Sequence, residues 1–105
     1  MHQRTKALSI PTAVKEAVAD RDSHGGWPCC ILCGRPAPER LAWSNAHYIS
    51  RGQGGLGVEE NILTLCPDCH RAYDTVKRQA LRPALREYLQ DNYPGWDEEN
   101  LIYRK

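Results

Sequence analysis

NAHYISRGQGGLGVEENILTLCPDCHRAYD, residues 45–74, is the stretch that decides how this chain folds. It opens as an aromatic and apolar run, crosses a loop bearing Gly52, Gly54, Gly55 and Gly57, and returns through Asn61 to Cys66, Cys69 and His70. Residues 41–49 read as a first strand and residues 61–65 as a short second one. Glycines at that density either turn the chain or let backbone approach something closely. Asp68 stands where it can cap a helix running from Cys69 or His70 to about Val76. The order strand, loop, strand, helix predicts a small α+β unit.

Upstream, Cys30 and Cys33 form a second pair with a two-residue gap, a knuckle relieved by Gly34. Four thiolates in two such pairs make an all-cysteine tetrahedral set that leaves zinc no open position, so one metal bound by Cys30, Cys33, Cys66 and Cys69 is expected to be structural. The intervening residues 34–65 are longer than a finger loop and read as a hairpin clamped at its base. A zinc-clamped ββα core is therefore expected over about residues 29–76. Cys29, the fifth cysteine, falls outside the two-residue spacing and reads as a small buried or flanking residue.

A chain of 105 residues is expected to form one domain with a modest core, here without Phe and with a single Met. Coupled metal binding, worth about 10–16 kcal/mol in small zinc peptides, would matter greatly to it. No apolar run of membrane-spanning length is present, and no secretory pattern opens the chain. The expectation is a soluble, cytoplasmic protein with reduced cysteines.

The flanks are helical. Ser9 and Pro11 suit the start of a helix over about residues 10–21, with Val14, Ala17, Val18 and Arg21 on one side. Gly25 and Gly26 end it in a loop where His24 reads as an ordinary exposed histidine. A C-terminal helix and tail take up about residues 78–105. Leu81, Leu85 and Leu89 recur every four residues, Pro83 marks a start or a kink, and Trp96, Leu101, Ile102 and Tyr103 are expected to fold back over the body.

The net charge is only +1, but it is segregated. Arg71, Lys77, Arg78, Arg82 and Arg86 are opposed only by Asp74, while Asp91, Asp97, Glu98 and Glu99 make the tail acidic. A basic helical face is thus expected to meet phosphates.

Hydrolysing a phosphodiester requires an activated water, charge stabilisation on the phosphate and help for the leaving oxygen. His47 at a strand end and His70 at a helix start, brought together by a hairpin, can divide these tasks. Asp74, one turn after His70 on the same face, can add an oxygen ligand.

The run from His47 through Gly54, Gly55 and Asn61 to Cys66, Cys69 and His70 closely resembles the HNH endonucleases of the ββα-metal class. The resemblance covers about residues 30–74, with looser likeness to small phage and prophage members at both ends. It implies that His47 is the general base and that Asn61 pins the hairpin loop through its side chain. It further implies that His70 binds a catalytic Mg²⁺ or Mn²⁺, separate from the structural zinc. Much of that family carries Asp or His as a metal ligand just before the base; here Ala46 stands there. Asp74, Asn45, or substrate phosphate and waters would then complete the shell. The function implied is a DNA endonuclease in a bacterial or phage-infected cell that leaves 5′-phosphate and 3′-hydroxyl ends; as a monomer or weak dimer it is expected to nick or to cut with low sequence specificity, double-strand cleavage needing a dimer or two visits. The rival is a non-catalytic zinc ribbon that binds nucleic acid or protein and has no use for His47 and His70.

Overall fold

Two prolines mark helix starts, because a fixed φ and a missing amide cost nothing in a first turn. The computed structural model describes residues 3–104. In it Pro11 is the extended residue before α2 (Thr12–Arg21), and Pro67 lies in the first turn of α3 (Pro67–Asp74). A short helix not expected from the sequence, α1 (Gln3–Leu8), precedes them and buries Leu8. Ser9 does not cap α2. Its hydroxyl donates to the Thr5 carbonyl at 2.8 Å and closes α1 instead.

After α2 the chain makes a minimal hairpin, β1 (Ser23–His24) and β2 (Trp27–Pro28), with Gly25 and Gly26 at its tip. His24 is exposed there, paired with Trp27. The central hairpin is β3 (Ala46–His47) antiparallel to β4 (Ile62–Leu63), with Ala46 opposite Leu63 and His47 opposite Ile62. Both strands are shorter than the sequence suggests, and the reason is competition for backbone groups. At one end Thr64 gives its N–H to the Asp22 carboxylate (2.9 Å) and its carbonyl to Ile31 N–H (3.1 Å). At the other end the Ile49 amide is taken by the Asn61 side chain at 2.8 Å.

α3 differs from expectation at both ends. The group that accepts from its first turn is Cys66 Sγ, 3.4 Å from the Cys69 amide, and not Asp68, which pairs with Arg35 at 3.3 Å. The helix stops at Asp74, leaving Val76 fully out in solvent. α4 (Arg78–Asn92) then begins and carries Pro83 inside it.

The core lies between the central hairpin, α3, α4 and the tail. Tyr48 stacks on Tyr73 at 6.5 Å and meets Trp96 edge-on at 5.4 Å, with Leu63, Leu65, Leu85 and Leu89 around them. The tail closes this layer: Leu101 is buried, the Trp96 indole donates to the Glu60 carbonyl at 2.8 Å, and Tyr103 N–H donates to the Gly54 carbonyl at 2.7 Å. On the far side, Arg21 ties α2 to the hairpin through the carbonyls of Glu59 (2.8 Å) and Ile62 (2.7 Å), and to the residue after α4 through the Tyr93 hydroxyl (3.0 Å). Asp22 neutralises it at 2.8 Å. Among the described residues no helix is long and apolar enough to cross a membrane.

Candidate active site and metal centre

The two cysteine pairs meet. The Sγ atoms of Cys30, Cys33, Cys66 and Cys69 all lie within 4.8 Å of one another. Zinc bound tetrahedrally at about 2.3 Å from each sulfur sets a sulfur–sulfur edge of about 3.8 Å. Cys33 and Cys66 already stand 3.7 Å apart, so the set fits a closed structural zinc. The four thiols influence one another's ionisation. Against the effect of burial, backbone N–H groups from Cys66, Cys33 and Leu32 hold the Cys30 thiol down at about 7. Burial and the neighbouring sulfurs push Cys69 well above the ordinary thiol range. A divalent metal removes that conflict by taking all four as thiolates. Cys29 is buried beside the knuckle and outside the cluster, its sulfur 3.4 Å from the Trp27 carbonyl.

A second site opens on the other side of α3. A cleft of about 740 Å³ is lined by His47 from β3, His70 and Asp74 from α3, Arg51 from the hairpin loop, Lys15 from α2 and Arg78 from α4. The hairpin and α3 bring His47 to this wall together with His70 and Asp74. Asn61 is not in the cleft but beneath it, fully buried. Its carbonyl oxygen accepts from Ile49 N–H at 2.8 Å, and its amide donates to the carbonyls of Ile49 (3.2 Å) and Leu56 (2.9 Å). One side chain thereby closes both ends of the loop. The backbone inside is packed tightly enough to demand glycine. A Cβ on Gly55 would lie 1.7 Å from the Ile49 carbonyl oxygen, and one on Gly57 1.9 Å from that of Ser9.

His47 is 9% exposed and its Nε2 lies 3.0 Å from the Leu8 carbonyl oxygen. A carbonyl can only accept, so Nε2 carries the hydrogen and the neutral ring keeps its lone pair on Nδ1. Burial lowers the His47 pKa below the usual histidine value, against the pull of the Leu8 carbonyl and with help from the positive charge of Arg51. The imidazole is therefore a free base at neutral pH.

His70 Nε2 and Asp74 Oδ2 are 3.1 Å apart. Two ligands at right angles on a cation such as Mg²⁺, each at about 2.1 Å, would stand about 3.0 Å apart. A divalent ion could bridge this pair at that spacing, which is equally the spacing of a direct His–Asp hydrogen bond. The other Asp74 oxygen faces Arg78 at 3.5 Å, and that guanidinium also donates to the Tyr48 carbonyl at 3.2 Å and lies 4.4 Å over the Tyr73 ring. Ala46 is fully buried in the core and offers the cleft nothing, whereas Asn45, exposed just before it, lines the cleft.

The basic face read along α4 is largely consumed inside the protein. Arg82 and Arg86 reach Glu98 at 3.0 and 2.8 Å, and both donate to the Tyr48 hydroxyl. Sequence reading also overlooked Lys15 and the Leu8 carbonyl as parts of the cleft. Lys15 has no local signature on an ordinary helix, and a backbone carbonyl has none at all.

The family model described as HNH endonuclease matches residues 30–75, the stretch that holds the four cysteines, His47, Asn61, His70 and Asp74. No curated protein and no solved structure matches the chain significantly.

Proposed function

From the premise that residues 30–75 are an HNH endonuclease domain, we propose that the protein is a metal-dependent nuclease that hydrolyses DNA phosphodiester bonds. In this reading residues 1–105 act as one catalytic unit with a single active site, as a monomer or weak dimer, nicking one strand with little sequence preference. The observation that carries the reading is His47, held by the Leu8 carbonyl through one ring nitrogen while sharing a cleft with His70 and Asp74.

His47 Nδ1 takes the proton from a water molecule, which attacks phosphorus and displaces the 3′ oxygen. The departing 3′ oxygen takes a proton from solvent, leaving a 5′-phosphate and a 3′-hydroxyl. Asn61 keeps the loop closed and so keeps His47 on the cleft wall. His70 and Asp74 would hold Mg²⁺ or Mn²⁺, which supplies Lewis-acid polarisation of the phosphate and charge for the leaving oxygen. Burial keeps His47 unprotonated, ready to act at neutral pH.

The test is supercoiled plasmid incubated with zinc-loaded protein and Mg²⁺ or Mn²⁺, beside His47→Ala. A relaxed product that the variant forms about 10²–10⁴-fold more slowly is expected. Equal cleavage by the variant sinks the base assignment. Binding without cleavage in any divalent ion returns the protein to the zinc-ribbon class.

A further inference from the structure

A nuclease must hold a polyanion, and the arginine-rich helix is the obvious place to look for the grip. Its partners argue otherwise. Arg82 is fixed by Glu98 at 3.0 Å and by the Tyr48 hydroxyl at 3.0 Å. Arg86 repeats the arrangement, 2.8 Å from Glu98 and 3.2 Å from the same hydroxyl. These two guanidinium groups close the tail onto the core. Releasing them to phosphate would leave the Glu98 carboxylate with only the Tyr48 hydroxyl as a partner and strip that hydroxyl of its donors. Arg78 is likewise committed to Asp74 and the Tyr48 carbonyl.

Two cations of the cleft differ. Lys15 projects from α2 and Arg51 from the loop after β3, and both line the cleft with His47. Neither side chain has an ion pair or hydrogen bond among the described residues. Asp74 is the cleft's only carboxylate among the described residues, and His70 and Arg78 already flank it. The cleft therefore carries surplus positive charge from two separate elements, beside a histidine, and Asp74, its one described carboxylate, is already engaged by Arg78. A groove of this kind focuses an attractive potential on a phosphate chain.

We infer that Lys15 and Arg51 are the cations that grip the backbone phosphates of the DNA strand being cut, and that Arg82 and Arg86 on α4 are an internal latch with no part in DNA binding. This rests on the nuclease reading and extends it to the substrate's path. The grip is sequence-independent, since phosphate contacts position the strand without reading bases.

Each neutralised phosphate of duplex DNA contributes about 0.9 to the slope of log affinity against log salt. Binding of a fluorescent duplex by the zinc-loaded full chain, with no Mg²⁺ or Mn²⁺ added, is followed by anisotropy from low to moderate salt. Lys15→Ala and Arg51→Ala should each flatten the slope by about 0.9, and Lys15→Arg and Arg51→Lys should restore it. Lys77→Ala, which removes an exposed cation outside the cleft, should leave the slope unchanged, as should Arg86→Ala. A slope unaltered in the two cleft variants, or flattened equally in all four alanine variants, overturns the assignment while leaving a DNA-binding nuclease intact. Absence of any binding by the unaltered protein would overturn the assignment and the nuclease reading together.

Discussion

His47 and Leu8 are joined across 39 residues by one hydrogen bond, imidazole Nε2 to carbonyl oxygen at 3.0 Å. The carbonyl closes α1, a six-residue helix whose other residues are largely exposed. Removing residues 1–8 should therefore leave the zinc centre and core in place but free the ring to rotate. We expect catalysis to fall by roughly tenfold or more, within the 10²–10⁴ that a general base contributes. Single-turnover cleavage, with zinc content and DNA affinity measured on the same sample, checks this. Unchanged turnover would show that the Leu8 carbonyl does not position the base.

The pH dependence has a definite sign. Burial depresses the His47 pKa in the folded protein, and in the proposed mechanism the neutral ring is the active form. Activity should persist as pH falls through the ordinary histidine range and drop only below it. An acid limb of kcat/KM centred under about 6.5 is expected, and one centred above it contradicts the assignment. Stability follows the same window. The unfolded chain binds the proton first, so the contribution of His47 is complete above the unfolded pKa and is lost as pH falls through the folded one.

Asn61→Ala removes three hydrogen bonds from a fully buried position and strands the Ile49 amide with the carbonyls of Ile49 and Leu56. A loss of about 2–3 kcal/mol is expected from the unpaired groups. Urea denaturation should show a lower midpoint with an unchanged slope. A loss below about 0.5 kcal/mol would mean the loop closes without this side chain.

For the cysteines, one bound zinc per chain is expected, retained in Cys29→Ser and lost or greatly weakened in Cys66→Ser. Metal analysis of the purified variants separates the two. Equal zinc loss in both would place Cys29 in the ligand set.

What could be read from the residues before folding follows from how local each signal is. Cys30, Cys33, Cys66 and Cys69 announce themselves by spacing, because a turn that brings two sulfurs to one metal needs that gap. His70 and Asp74 meet because four residues make one helical turn. The strands were misjudged in length because Thr64 and Ile49 bond to Asp22 and Asn61, partners that apolar patterning does not reveal. The arginines of α4 were misjudged for a similar reason. Their charge is local, but its neutraliser Glu98 arrives from the tail. The Leu8 carbonyl was beyond reach, since any residue there would supply the same oxygen.

Cys66 gives the molecule one property that neither site has alone. Its sulfur belongs to the four-cysteine cluster and also accepts the Cys69 amide, so it starts the helix that presents His70 and Asp74. A metal drawn from the cysteines would loosen the first turn of that helix, and with it the spacing of the His70–Asp74 pair proposed to hold the second ion. If the proposed catalytic ion binds there, two ions sharing one helix would be thermodynamically linked, and linkage is reciprocal: whatever factor zinc adds to the affinity for Mn²⁺, Mn²⁺ must add to the affinity for zinc. Titrating Mn²⁺ against a competing zinc chelator would read that factor from either direction. Identical zinc affinities with and without Mn²⁺ would mean the helix transmits nothing.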